Sequence, residues 1–385
     1  MTFTLRPTCG QDFVGREELI NEMILTLSSK DIQMGFALYG RRRIGKSSIF
    51  LELARKLQKK RGIVPVYFSL WNLVEFTVEE FVQEFSSAIL EAYKHKISLK
   101  TKAKEAFGLP LKFLQSMLET LKVSIALREE ISIILTLKKE KRSINELISS
   151  VFNLAENLAK ETNTRCVLFI DEFPSFVELK GETGENLVKK IRTICETQHH
   201  TVLNITGSVR KTLELVALAP TSAFYKQFIM KKVSGLERKE VKMLLEKNLK
   251  VKLSDEIVKE VYNFTHGIPF YIHFIGRQIK QSSCLDLETV KNGIAQFLNE
   301  EGDLFFKEEF NRLSPKEQTI VVAMIRHNLN NLSEIAKVLN EPTGTISQFL
   351  SYLEEKGVVI KLERGIYQLD DPVFQYWVDK KVSAE

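Results

Sequence analysis

The sequence predicts an α/β fold: a parallel sheet with helices on both faces, followed by a helical domain and a C-terminal winged-helix domain. Three observations predict it. From about residue 34 to about residue 235, short apolar runs of strand type alternate with longer helical patterns, as in strands buried on both faces. From about Leu236 the pattern turns helical, and Glu237-Arg-Lys-Glu-Val-Lys-Met-Leu-Leu opens an amphipathic run. Near the end, two helical patterns separated by a turn precede two short apolar runs around Glu363-Arg-Gly365.

The strand-like runs are 34–39, 63–70, 165–170 and 201–206, with a fifth at 228–233. The stretch 46–57 carries Ile49, Leu51, Leu53 and Leu57, which suits a helix packed on the sheet. Between the second and third runs, an insertion at about 99–148 reads as helices plus a small hairpin, the alternating stretches beginning at Val123 and Ile131. A further unit starts near Ser314-Pro-Lys-Glu317. Serine is a natural N-cap there, proline suits the first helical position, and the glutamate completes a capping box. The helix-turn-helix comprises 332–339, a turn at 340–344 and 345–353, with wing strands at 358–362 and 366–369. Ile335, Leu339, Ile346, Leu350 and Leu353 stand at core spacing. The expected domains are 1–235, 236–300 and 301–385.

At 385 residues the chain suits two or three domains, and 44% hydrophobic with 27% charged residues is a soluble globular balance. No apolar run approaches the roughly 20 residues that cross a bilayer, and the first residues lack a secretory layout. A cytoplasmic protein without a membrane partner is expected. The net charge of +6 is mildly basic, and the basic clusters at 94–104 and 138–142 read as solvated helix faces. Cys9, Cys166, Cys195 and Cys284 show no paired spacing, so neither disulfides nor a zinc site is suggested, and Cys166 reads as a buried small hydrophobe. His199 and His200 are adjacent, so their side chains diverge rather than converge on a metal.

Gly40-Arg-Arg-Arg-Ile-Gly45-Lys46-Ser47 fits G-x-x-x-x-G-K-[ST], directly after a strand-like run and opening a helix. The class narrows to a P-loop NTPase sheet. Gly40 and Gly45 permit a curled backbone whose amides face phosphate oxygens, and the helix N-terminus aims its dipole at the same anion. Lys46 reaches the β- and γ-phosphates, and the Ser47 hydroxyl ligates Mg²⁺. The candidate ATP-binding set therefore runs through Gly40, Arg41, Arg42, Arg43, Ile44, Gly45, Lys46, Ser47 and Ser48, with Ser48 reading more as a first-turn helix residue than as a ligand. The three arginines either pair with acidic groups that hold the loop or meet a neighbouring subunit in a homo-oligomer.

Val167-Leu-Phe-Ile-Asp171-Glu172 is an apolar strand ending in two carboxylates, expected beside the P-loop strand. Asp171 would hold magnesium through water, opposite Ser47, and Glu172 would polarise the attacking water. Lys46 and Glu172 are thus catalytic candidates. No Asn-Lys-x-Asp guanine-reading motif occurs, which favours adenine, so ATP and Mg²⁺ are the expected ligands.

The ordered series Phe13-Val-Gly-Arg-Glu-Glu-Leu19, Gly40–Ser47, Phe169-Ile-Asp-Glu-Phe173, Thr206-Gly-Ser208 and Gly267-Ile-Pro269 resembles the predominantly archaeal ATPase family within the STAND branch of AAA+-related P-loop proteins. The resemblance covers essentially the whole chain. It implies that Val14, Gly15 and Arg16 lie beside the adenine and that Ser208 is a catalytic sensor of the γ-phosphate. It also implies that 236–300 is a helical lid whose Pro269 approaches the nucleotide. Read from residues alone, Gly15 is a turn entering a helix, and Gly267–Pro269 is a helix break. Relatives often carry Tyr-Gly-Arg where this chain has Tyr225-Lys226-Gln227, so no arginine finger is assigned.

The winged helix is open to two roles. Thr345, Ser347 and Gln348 on its second helix, with Lys361 and Arg364 in the wing, could meet duplex DNA. Glu354, Glu355, Asp370 and Asp371 favour a packing or protein-interaction module with an unknown partner. The leading expectation is a slow, Mg-dependent ATP hydrolase acting as a molecular switch. The alternative is a DNA-associated ATPase resembling origin-recognition loaders. A small-molecule phosphotransferase would need an acceptor pocket and an arginine-rich lid, and no such segment is evident.

Overall fold

The computed structural model describes residues 3–94, 96, 143–179, 184–207, 224, 226–282 and 284–384. They form two compact units, Pro7–Val233 and a second comprising Met1–Arg6 with Ser234–Glu385.

Five parallel strands form the sheet of the first unit: β1 (Gly35–Tyr39), β2 (Ile63–Ser69), β3 (Arg165–Asp171), β4 (Thr201–Gly207) and β5 (Phe228–Lys232). All five runs expected from the sequence are strands, each within a residue of its expected ends. β3 and β4 are buried along their whole length, which explains their near-continuous Val, Ile, Leu and Phe content. The strand order is β2-β3-β4-β1-β5.

That order corrects one expectation. The carboxylate strand β3 does not adjoin the P-loop strand β1, because β4 pairs with both, Ile205 facing Ala37 on one side and Ile170 on the other. Asn204 of β4 stitches the three strands together. Its side chain accepts from the Phe36 amide at 2.9 Å and donates to the Leu168 carbonyl at 3.1 Å.

Helices cover both faces. On one lie α1 (Glu17–Ser28) and α2 (Lys46–Leu57); on the other lie α3 (Val78–Tyr93), α4 (Ile144–Glu161) and α5 (Gly184–Glu196). The period-2 alternation of β2 decides the split. Val64, Val66 and Phe68 enter the core beneath α3 and α4, where Phe68 meets Phe81 and Phe85 at centroid distances of 5.7 and 5.3 Å. On the α2 face, Phe169 meets Phe50 at 4.8 Å. Phe50, not Leu51, fills the buried stripe of α2 beside Ile49, Leu53 and Leu57; Leu51 is half-buried.

The core resumes earlier than the expected end of the insertion. Helix α4 starts at Ile144 behind a Ser143/Glu146 capping box and already buries Leu147 and Ile148. The hairpin expected near Val123 and Ile131 lies outside the described residues. His199 and His200 sit just before β4, where both amides donate to Glu156.

The second unit is mostly helical: α6 (Arg238–Leu249), α7 (Asp255–Thr265), α8 (Pro269–Gln281), α9 (Leu287–Asn299), α10 (Glu301–Asn311), α11 (Pro315–Arg326), α12 (Leu332–Leu339), α13 (Thr343–Glu355) and α14 (Pro372–Ala384). An antiparallel pair, β6 (Val359–Glu363) and β7 (Ile366–Leu369), precedes α14. The capping box at Ser314 and Glu317 forms as expected, with Pro315 in the first turn. Ile335, Ile346, Leu350 and Leu353 are buried, whereas Leu339 is half-buried where α12 ends at the left-handed Asn340. Asp371 is not a free surface acid. It accepts from the Tyr271 hydroxyl and from the Val373 amide, the latter at 2.9 Å, at the start of α14. No described helix is long and apolar enough to cross a membrane.

Candidate active site

The site lies at the C-terminal ends of β1, β3 and β4, where parallel sheets open a crevice. Strand β1 stops at Tyr39 because the chain must turn into α2, and the glycines at the two ends of the loop work differently. Gly40 is required by close approach: a Cβ there would fall 2.7 Å from the Val233 carbonyl, whose residue donates its amide to Tyr39 O at 2.8 Å. Gly45 is required by its backbone, with φ +92° in the left-handed region. Arg43 also adopts φ +63° despite its side chain.

Lys46 opens α2 and is buried, and its ammonium donates to the carbonyls of Gly40 and Arg41 at 3.0 Å each, across the mouth of the loop. No side chain caps the N-terminus of α2 at Gly45, so the dipole and first-turn amides are aimed into the same mouth. Ile44 is buried and anchors the loop; Arg41 is half-buried, and Arg42 and Arg43 are exposed.

Arg16 stands at the N-cap of α1 with φ +62°. Its guanidinium donates to Ile44 O at 2.5 Å and reaches Gly45 O at 3.4 Å. It therefore grips the loop from its carbonyl side. Gly15 precedes it with φ +79°, a turn entering the helix as read from the sequence, and Val14 is half-buried. Ser48 serves the N-terminal segment: its hydroxyl accepts the Thr8 amide at 3.0 Å, one turn from Glu52, which accepts the Gly10 amide at 2.7 Å. Burial works against the Glu52 carboxylate, but hydrogen bonds from Arg55 and Gly10 outweigh it and hold the carboxyl below its ordinary value.

Opposite the loop, Asp171 is the last residue of β3 and is buried. Its Oδ1 accepts from the Thr206 hydroxyl at the end of β4, and its Oδ2 from the Tyr67 hydroxyl of β2 at 3.0 Å. Burial, and then the Asp171 carboxylate, push the Tyr67 phenol far above its ordinary value, so it stays a protonated donor. Glu172 turns off the strand at φ +55° and donates its amide to Thr206 Oγ1 at 3.1 Å.

The structure thus places Lys46, Ser47, Asp171 and Glu172 at the same C-terminal edge of the sheet, and two residues to which sequence reasoning gave no role, Tyr67 and Thr206, hold the acidic pair. Thr206 stood inside the Thr-Gly-Ser element, a usable signal; Tyr67 carried none beyond its place near a strand end. Ser208 lies outside the described residues. Pro269 is in the second unit, where it opens α8 after the left-handed His266 and Gly267. Gly267 has no room for a side chain, since a Cβ would lie 2.1 Å from Leu236 O.

Ser47 and Asp171 offer hard oxygen donors of the kind magnesium takes, and the left-handed Gly45 leaves a cradle without a Cβ at the start of α2. The residues fit a magnesium–nucleotide.

A parallel sheet whose glycine loop feeds a helix, facing a buried acidic strand end, defines the ATPase class of P-loop proteins. Residues 13–275 match the ATPase domain family predominantly from Archaea, and the chain belongs to that family. Among solved structures, a Walker-type ATPase of Pyrococcus abyssi aligns with a TM-score of 0.68 at 19% identity, covering 98% of this chain and 100% of that one. The ORC2 protein of Aeropyrum pernix aligns at 0.56 in its ADPNP–ADP complexes and 0.52 in its ADP form, at 14% and 13% identity, with 97% of each chain covered in both cases. At such identities the likeness is one of fold. No curated protein matches the sequence.

Proposed function

We propose that this chain hydrolyses ATP with magnesium, slowly, as a molecular switch of the STAND type, with 236–300 as a lid and 301–385 as a winged-helix output. The observation that carries the reading is that the Lys46 ammonium across the mouth of the P-loop and the Tyr67–Asp171 pair stand at the same C-terminal edge of the parallel sheet. The loop amides and Lys46 bind the triphosphate; Ser47 and Asp171 hold the metal. Magnesium, when bound there, would neutralise charge on the phosphates. Glu172 orients the attacking water and takes its proton. Val14 and Gly15 beside the adenine, Arg16 through its grip on the loop carbonyls, Ser208 as sensor and Pro269 from the lid complete the proposed set. Slow turnover follows from Tyr225-Lys226-Gln227 standing where relatives carry an arginine.

Calorimetry with Mg·ATP tests the reading. Wild type and Glu172→Gln should both bind, Lys46→Ala should give no heat, and phosphate release by Glu172→Gln should fall about a hundredfold or more. Lys46→Ala titrating like wild type would overturn it. A second reading, contact with duplex DNA, draws on the exposed Lys361 and Arg364 of the β6–β7 hairpin. A gel shift at low salt decides it: no retardation at micromolar protein removes DNA from the function.

A further inference from the structure

We infer that Tyr67 is a positioning residue of the magnesium–nucleotide site, its hydroxyl fixing the Asp171 carboxylate from the neighbouring strand. The inference rests on the ATPase reading above and adds a residue to it.

The strand pattern puts the side chain there. Val64, Val66 and Phe68 of β2 face the helices α3 and α4, so Tyr67 emerges on the opposite face, the one carrying α2 and Ser47. A one-residue slip would bury the hydroxyl among phenylalanines. β2 and β3 are parallel in a register that pairs Tyr67 with Phe169 and Ser69 with Asp171. Tyr67 is therefore two residues short of the carboxylate, roughly 6.6 Å along a strand, about what a tyrosine side chain spans.

The consequence is a carboxylate fixed from both sides. Thr206 holds Oδ1 from β4, and Tyr67 holds Oδ2 from β2 at 3.0 Å. A strand-forming tyrosine with a packing role alone would need no hydroxyl. Here the hydroxyl fixes the carboxylate that would hold the metal, and such outer partners set metal affinity by fixing the ligands' directions.

Tyr67→Phe removes that hydroxyl and keeps the ring. The test compares calorimetric affinities for Mg·ATP and for ATP in excess EDTA, in wild type and variant, on protein whose melting temperature shows it folded. The expected result is a loss of about tenfold in Mg·ATP affinity, with metal-free ATP affinity changed by less than about twofold. Unchanged or tighter Mg·ATP binding overturns the inference, as does an equal loss in both titrations, which would mark a general packing defect. Wild type that binds neither form overturns the ATPase reading itself, an outcome distinct from a silent Tyr67→Phe.

Discussion

The Thr206 hydroxyl donates to the carboxylate of Asp171 and accepts the amide of Glu172 at 3.1 Å, so one side chain of β4 sets both members of the acidic pair. Thr206 is fully buried and reaches them because β4 lies between the P-loop strand and the acidic strand. The amide it receives belongs to a residue with φ +55°, a conformation that needs support from its surroundings.

Thr206→Val should keep the packing and lose both hydrogen bonds. Turnover should fall, because Glu172 loses the anchor that aims it. Steady-state phosphate release at saturating Mg·ATP should drop about tenfold or more, Mg·ATP affinity should also fall by about tenfold because Asp171 loses a partner, and Thr206→Ser should recover most of both. Equal rates for Thr206→Val and wild type would mean that the acidic pair holds itself.

The two loop glycines should respond differently to alanine. At Gly45 the left-handed backbone costs about 1 kcal/mol, and the new Cβ meets only the far end of Arg16, which can move. At Gly40 the Cβ meets the Val233 backbone oxygen, which cannot yield without disturbing β5, so about 2–3 kcal/mol is expected. Urea melts rank the two, and Gly45→Ala proving the worse would refute the close-approach account. Nucleotide affinity should fall in both, and Arg16→Ala should weaken it as well by freeing the carbonyls of Ile44 and Gly45.

The strands were legible because residues such as Val167, Phe169, Val202 and Ile205 are buried on both sheet faces and therefore form continuous apolar runs. The P-loop and the Ser314 capping box were legible because each motif is local. Adjacency was not: periodicity says that β3 and β4 exist, but not that β4 separates β3 from β1. Tyr67 was invisible for a related reason. Tyrosine is an ordinary strand former, and only the β2–β3 register turns it into a partner of Asp171. Likewise the need for glycine at position 40 depends on Val233, a contact made through the sheet.

Ser47 and Ser48 are neighbours in the motif with separate duties. Ser47→Ala should weaken Mg·ATP binding by roughly tenfold and leave thermal stability close to wild type. Ser48→Ala should leave ATP affinity within about twofold and cost about 1 kcal/mol of stability, because the Thr8 amide loses its acceptor. Calorimetry and melting curves on both variants check the split. Loss of ATP binding in Ser48→Ala would return that hydroxyl to the nucleotide.

Glu317 links pH to stability in the second unit. Its buried carboxylate accepts from Lys356 at 2.7 Å and from the Ser314 amide at 2.6 Å. Burial alone would raise its pKa, but the hydrogen bonds from Lys356 and Ser314 outweigh it, and the net shift is downward. A carboxyl depressed in the folded state contributes stability that is complete above its unfolded value of 4.5 and fades as pH falls through the lower folded value. Glu317→Gln keeps a capping-box acceptor and removes only the charge facing the partly exposed Lys356, so about 1 kcal/mol is expected at pH 7. Urea denaturation of wild type and variant, followed from pH 7 down to pH 3, should therefore give curves that start apart and converge at the acid end. Curves that stay parallel throughout would show that the Glu317 charge contributes nothing to the fold.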